Sequence, residues 1–162
     1  MKPVVDRAAV IGASLIAALA LLVLPQPLGA VDEDSSGLEA RDPDYAAGRR
    51  AIEGKQWDEA IQHLARVALR ESDNPDVHNL LGFSYRQAGK LDLALAEYER
   101  ALAIDPRHKG AHEYIGEAYL KMNDLAAATR HLEALRKLCP LSCEQLRDLE
   151  REIAQHTGTT RR

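Results

Sequence analysis

Cys139 and Cys143 are the two cysteines of this 162-residue chain, four positions apart in LCPLSC. In an oxidising compartment the leading reading is a local disulfide that pins the turn ahead of the last helix. It requires Cα atoms no more than about 7 Å apart. So short a ring gives little chain-entropy benefit, so its role would be a geometric clamp. The sharper alternative is a thiol-dependent metal or redox pair, with His131 or His112 as helpers. Redox pairs usually space their cysteines by two, and a structural zinc wants four ligands. His108 and His112 stand four apart, a spacing that metals use on a helix. However, no acidic or cysteine ligand lies near them, and His108 falls in a turn, so packing is the expectation and no metal site is assigned. Gly48 to Gln56 has the outline of a phosphate loop. It carries one residue too many before Gly54-Lys55 and lacks the Ser/Thr that would hold magnesium. No nucleophile elbow, no His-Glu-x-x-His and no isolated carboxylate pair is present. The chain is therefore expected to be no enzyme and to need no cofactor.

The elements that carry these residues are read from composition and period. Hydrophobic residues make up 46% and charged residues 28% of the chain, with net charge −4, which suits a folded domain rather than a disordered one. Alanine and leucine interleaved with Glu, Arg and Lys is helix composition. Basic residues are interspersed with acidic ones instead of forming a block, so nucleic acid is not an expected partner.

Lys2 and Arg7 precede an uncharged run from Ala8 to Leu24, which Pro25 and Pro27 break and Leu28-Gly29-Ala30 closes. These are the features of a secretory signal peptide over residues 1–30, cleaved after Ala30. The competing reading is a retained membrane anchor, for which the run is at the short edge. With cleavage no stable membrane span remains, and the compartment expected is the bacterial periplasm. Residues 31–41 read as a flexible linker.

From Asp42 onward the chain repeats every 34 residues. Gly48, Gly82 and Gly116 keep this spacing, as do Ala60, Ala94 and Ala128, and Trp57, Leu91 and Leu125. Within the second unit Leu81, Tyr85 and Ala88 share one helical stripe, and Ala94, Tyr98, Ala101 and Leu102 share another. Gly89-Lys90 supplies the turn between them, and Asp105-Pro106 ends the second helix. Gly82 costs about 1 kcal/mol of helix stability relative to alanine, so its recurrence argues for close helix packing. Asp42-Pro43 and Asn74-Pro75 place a capping side chain before a proline at the first helical position. Three units follow, 42–75, 76–108 and 109–140. A closing amphipathic helix over 141–156 carries the stripe Leu146, Leu149 and Ile153, opened by a capping box from Ser142 to Gln145. Thr157-Gly158 is expected to end it, with a frayed tail over 157–162.

Gly82, Tyr85, Ala94, Tyr98, Ala101 and Pro106 sit at the spacings of the tetratricopeptide repeat, which residues 42–140 resemble. His78 stands where that motif prefers Trp. The third unit keeps Gly116, Tyr119, Ala128 and Pro140. The first keeps Gly48, Trp57 and Ala60, but has Ala51 for the tyrosine and Ser72 for the closing proline. The resemblance implies an all-α, right-handed helix-turn-helix solenoid of three repeats plus a capping helix. It also implies a ligand groove lined by the first helix of each pair. Mapping the family's lining positions gives Tyr45 and Arg49, then Asn79, Phe83, Arg86 and Gln87, then Glu113, Glu117 and Lys121. Phe83 is the chain's one phenylalanine, and with Arg49, Arg86 and Gln87 it is expected to face outward and grip an extended peptide. The competing reading packs Phe83 against the next repeat. Relatives that bind chaperone C-termini clamp a carboxylate with Lys and Asn. The equivalent positions here are Tyr45, Arg49, Leu80, Gly110 and Tyr114, of which Arg49 alone fits, so that ligand class is not expected.

The function expected is a non-catalytic protein- or peptide-binding scaffold, its partner unnamed by the sequence. The alternatives are the thiol-dependent accessory protein using Cys139 and Cys143, and a structural protein that self-associates through its weak first repeat.

Overall fold

The computed structural model describes residues 37–38 and 41–160. The expected leader at 1–30 lies outside them. From Pro43 onward seven helices follow one another: α1 (Pro43–Glu53), α2 (Trp57–Arg70), α3 (Pro75–Gln87), α4 (Leu91–Ile104), α5 (Lys109–Lys121), α6 (Leu125–Leu138) and α7 (Glu144–Thr160). They pair as α1/α2, α3/α4 and α5/α6; each pair packs on the next, and α7 packs on both α5 and α6. The chain is thus an all-α solenoid with a closing helix.

Helix starts follow the local chemistry. Asp42 Oδ1 accepts from the backbone N–H of Asp44 (2.9 Å) and Tyr45 (3.2 Å), with Pro43 behind it. Asn74 Oδ1 accepts from Asp76 (3.0 Å) and Val77 (3.3 Å), with Pro75 behind it. The third unit has no such proline. His108 Nδ1 caps α5 by accepting from Ala111 N at 3.0 Å, while its Nε2 donates to Asp76 Oδ1 at 2.9 Å and ties the start of α5 to α3. Inside each unit the turn between paired helices requires one left-handed residue. These are Lys55 (φ 55°), Gly89 (φ 77°) and Asn123 (φ 60°), in strict 34-residue register.

The core runs along the stack as three successive clusters. Leu38, Tyr45, Leu64, Val67, Val77 and Leu81 form the first. Ala94, Tyr98 and Ile115 form the second. Leu120, Leu132, Leu135, Cys139, Leu146 and Leu149 close the third. A buried leucine-sized side chain contributes about 2 kcal/mol. A Cβ on Gly82 would lie 2.7 Å from the Tyr98 ring, so glycine is what lets α4 seat its tyrosine. In the third unit the equivalent glycine serves a different helix: a Cβ on Gly116 would lie 2.6 Å from Leu149 of α7. The last repeat uses its close-packing position to hold the closing helix.

Three expectations change. Residues 31–41 read as a flexible linker, yet Gly37, Leu38 and Arg41 are helical, and Leu38 is buried with its carbonyl accepting from Asp42 N at 2.8 Å. One apolar side chain in a polar segment is enough to anchor it on the core. The capping box does not form as read: α7 begins at Glu144, the Cys143 carbonyl accepts from Arg147 N, and Ser142 Oγ accepts from Arg147 Nη1 instead. Thr157 and Gly158 do not end the helix, because Thr157 Oγ1 donates back to Ile153 O at 3.0 Å and α7 continues to Thr160. Among the described residues no helix is long and apolar enough to cross a membrane.

Candidate functional site

The first helices α3 and α5 lie side by side, with α7 in the place a fourth first helix would occupy. Two cavities open on this face. One, of about 510 Å³, lies at the N-terminal ends and is lined by Asn79, His108, Gly110, Glu113, Tyr114 and Gln145 among others. The other, of about 490 Å³, lies at the C-terminal ends and is lined by Arg86, Glu117, Leu120, Lys121, Glu152, Gln155 and His156. The groove expected from α1, α3 and α5 therefore has a further wall made by α7.

Between the cavities is an aromatic cluster built around one arginine. The Phe83 ring is 6.1 Å edge-on from Trp57 and 5.2 Å from Tyr114, whose ring is 6.0 Å from Tyr98. The Arg86 guanidinium lies 5.4 Å from the Phe83 centroid and 5.2 Å from that of Tyr114. Its Nε donates to Tyr98 Oη at 3.3 Å, and its Nη1 is ion-paired with Glu117 Oε2. Burial raises the Tyr114 hydroxyl, with the Glu113 charge adding to it. Phe83 is half-buried. It packs against the next repeat through Tyr114, with part of its surface left exposed.

Not every lining residue stands where expected. Tyr45 is fully buried in the first core cluster, against Leu38, Leu64 and Val67, and does not line the groove. Burying a large ring against Leu38 outweighs exposing it. Arg86 does not face outward: it is 6% exposed and engaged by Glu117, because a guanidinium between three rings is best satisfied by a neighbouring carboxylate. Gln87 and Lys121 are exposed and Arg49 is half-buried, all three clear of the core. Asn79, Phe83, Arg86, Glu113 and Glu117 are brought together on the α3–α5 face; Arg49 lies on α1, at the first-repeat end.

Asn79 and Glu113 occupy the same register one repeat apart, and both line the N-terminal cavity. Each is 8% exposed. Burial, helped by the charges of Glu117 and Asp148 and to a lesser degree Glu144, pushes Glu113 up to about 7, against the lowering pull of Arg86. Burial also raises Glu117, against the pull of its partner Arg86. Two contributors were absent from the expected groove. Tyr114 stands at a position considered only for a carboxylate clamp. The α7 acids Glu144, Asp148 and Glu152 belong to a face that reads as solvated. The spacing of Gln145, Asp148 and Glu152 along one helix stripe is the signal that could have found them.

Cys139 and Cys143 are paired, their Cα atoms 5.7 Å apart, within the range a disulfide needs. They lie at the α6–α7 turn, with Cys139 in the third core cluster. Among the described residues no group of three or more His, Cys, Asp or Glu is placed to hold a metal ion. His112 and His131 do meet, Nδ1 to Nδ1 at 3.1 Å.

Part of the repeat region is matched by a family model. The model, described as TPR repeat, fits residues 84–123, from the end of α3 through α5. Residues 84–123 thus match a tetratricopeptide repeat, and the described chain has the fold of such repeats. The uncharacterized protein ycf37 of Guillardia theta is 36% identical over 90 residues, which cover 52% of this chain and 50% of that protein. The chloroplastic tetratricopeptide repeat domain-containing protein PYG7 of Arabidopsis thaliana is 33% identical over 79 residues, covering 49% of this chain and 23% of that one. The chain thus spans half the length of the first relative and about a quarter of the second. Among solved structures, the yeast Sti1 TPR2B domain in complex with pHsp70 superposes with a TM-score of 0.66 at 14% identity. That match covers 72% of this chain and 94% of the Sti1 domain. At that identity the likeness is one of fold.

Proposed function

We propose that this tetratricopeptide-repeat chain is a non-catalytic adaptor that binds a protein or peptide segment along the face made by α1, α3, α5 and α7. The observation that carries the reading is the half-exposed aromatic run Trp57, Phe83 and Tyr114, braced by Arg86. Rigid rings held from behind offer contact area at low entropic cost, which extended peptides exploit. The Sti1 domain, similar in fold, is a complex with pHsp70, and that supports a peptide ligand as a class. It does not extend to a terminal carboxylate, because Tyr45 is buried and Leu80, Gly110 and Tyr114 offer no cation.

Capture of a partner from cell extract by the immobilised protein tests the reading, with Phe83→Ala as control. Phe83-dependent capture with unchanged helical content is expected; identical capture by both proteins would overturn it. The setting proposed is the bacterial periplasm, on the strength of residues 1–30, and a mature chain beginning at Val31 in the periplasmic fraction is the expected result. There Cys139 and Cys143 form a disulfide clamp. Blocking of both thiols against alkylation until reductant is added is the expected signature.

A further inference from the structure

We infer that His112 of α5 and His131 of α6 form a two-imidazole site for a late first-row transition-metal ion, copper(II) above zinc, held between their Nδ1 atoms. The site lies on the seam between the helices of the third unit and is independent of the groove reading above.

The first observation is a change of chemistry at a fixed place in the repeat. Each unit pairs a residue near the start of its first helix with the one nineteen positions later on its second helix. In the first two units the pair is one histidine and one carboxylate, His63 with Asp44 and His78 with Glu97. The ring nitrogen that crosses the seam there meets an oxygen. In the third unit both residues are histidines, and Nδ1 faces Nδ1 at 3.1 Å. A neutral imidazole carries one N–H and one lone pair. One proton can bridge the two nitrogens as a hydrogen bond, and a metal ion can take that proton's place.

The second observation fixes which nitrogen of His112 carries the lone pair. Its Nε2 lies 3.1 Å from the Pro106 carbonyl oxygen, a group that only accepts, so the proton is on Nε2 and Nδ1 is bare. A backbone carbonyl on the far nitrogen is how proteins orient metal-binding histidines. His78 keeps the same arrangement, with Nε2 3.2 Å from Ser72 O, but Glu97 stands across the seam from it. In the metal-free protein His112 Nδ1 accepts from His131 Nδ1–H. On binding, that proton passes to His131 Nε2, and both rings ligate as neutral bases.

The third observation is placement. Tyr119 stacks on the His131 ring, centroids 5.9 Å apart and planes at 25°, which braces that ring from one side. With metal–nitrogen bonds of about 2.0 Å, the observed 3.1 Å separation corresponds to a nitrogen–metal–nitrogen angle of about 100°. That is the angle of neighbouring ligands on a tetragonal or tetrahedral ion; linear coordination would set the nitrogens about 4 Å apart. Among the described residues no Asp, Glu or Cys joins the pair to make a group of three. Magnesium and calcium, which require oxygen ligands, are therefore not served. Zinc ordinarily takes three or four protein ligands. Copper(II) heads the affinity order at nitrogen sites, and water can fill its other positions. Arg130, the charged neighbour that acts on His131, is exposed, and its long side chain can turn to solvent. The paired Cys139 and Cys143 offer no competing thiolate.

The test is a titration of the purified, chelator-treated protein, its disulfide intact, with copper(II) sulfate in competition with glycine. Electron paramagnetic resonance reads the ligand nitrogens. One equivalent bound, with hyperfine splitting from two imidazoles, is expected. His112→Gln and His131→Gln should each weaken binding by on the order of tenfold or more. The double variant should lose little beyond either single one, because one ion needs both rings. His156→Gln and Phe83→Ala should leave binding unchanged, and circular dichroism should report the same helical content throughout. Should one single variant fail to fold, the other decides. No binding in competition with glycine would overturn the proposal. So would binding unmoved by either ring variant, which means an adventitious ion only, or additive losses, which mean two separate sites. Zinc(II) binding tighter than copper(II) would overturn the choice of metal. Copper binding kept in a protein that fails to capture a partner leaves this site standing and the groove reading wrong.

Discussion

Consecutive residues on the same three helices meet opposite fates. Asp44, His78 and His112 face the second helix of their own unit, and each meets the residue nineteen positions later. Asp44 Oδ1 accepts from His63 at 2.8 Å, Glu97 Oε2 accepts from His78 at 2.7 Å, and His112 and His131 meet at 3.1 Å. Asp44 also takes Arg66 and Arg70, which with His63 hold its carboxyl well below the usual range. One residue further on stand Tyr45, Asn79 and Glu113. Tyr45 is absorbed into the core, while Asn79 and Glu113 line the N-terminal cavity, the Asn79 amide oxygen buried without a partner and the Glu113 carboxylate crowded by acids. Polar groups whose partners come from within the unit hold the helices together. Those whose partners are missing lower stability.

The largest break in this contrast is expected inside the groove. Arg86→Ala leaves Glu117 part-buried without its partner and should cost about 3 kcal/mol, read from the urea midpoint at constant slope. Arg86→Met with Glu117→Leu should recover most of that loss, which separates the ion pair from the packing of the rings. Arg86 is for this reason a poor probe of binding, and Phe83 a better one.

The seam has its own pH signature. With His112 Nε2–H given to Pro106 O at 3.1 Å, its Nδ1 is left to accept from His131 Nδ1–H. Burial, then the neighbouring His112 and Arg130, lowers His131 to about 4. The folded pKa lies below the unfolded value, so this neutral ring favours the fold above about pH 6.5, and the contribution fades as pH falls toward 4. Allowing for solvent screening, the loss is on the order of 1–2 kcal/mol. His131→Leu should flatten the stability profile between those limits.

Glu113 should behave in the opposite sense. Its folded pKa is raised, so its contribution is intact below about pH 4.5 and declines as pH climbs through 7. Glu113→Gln should therefore raise stability at pH 8 by about 1 kcal/mol, after discounting for groove water, and change little at pH 4. The smallest effect belongs to the turns. Lys55→Gly places glycine in the left-handed conformation that Gly89 already holds, and should stabilise by about 0.5–1 kcal/mol in thermal melts.

The repeat was legible in the sequence because its signals are local to one helix pair: the glycine that admits Tyr98, the capping Asp42 and Asn74, the left-handed turn residue. The groove was legible only in part. Arg86 and Glu117 belong to different repeats, and nothing in either repeat announces that one will claim the other. Tyr45 shares the register of Asn79 and Glu113, but its environment is set by Leu38, in a segment whose polarity reads as a linker. The acids of α7 look solvated because amphipathic helices usually carry charge outward. Their role beside Glu113 depends on α7 taking the place of a fourth first helix, as the Gly116–Leu149 approach lets it do.

The most direct test of the central claim is capture of a partner from cell extract by immobilised wild type and by Phe83→Ala, with the helical content of the two proteins compared by circular dichroism. The account predicts capture by the wild type and its loss in the variant at unchanged helical content. Equal capture by both proteins, or by neither, would contradict it.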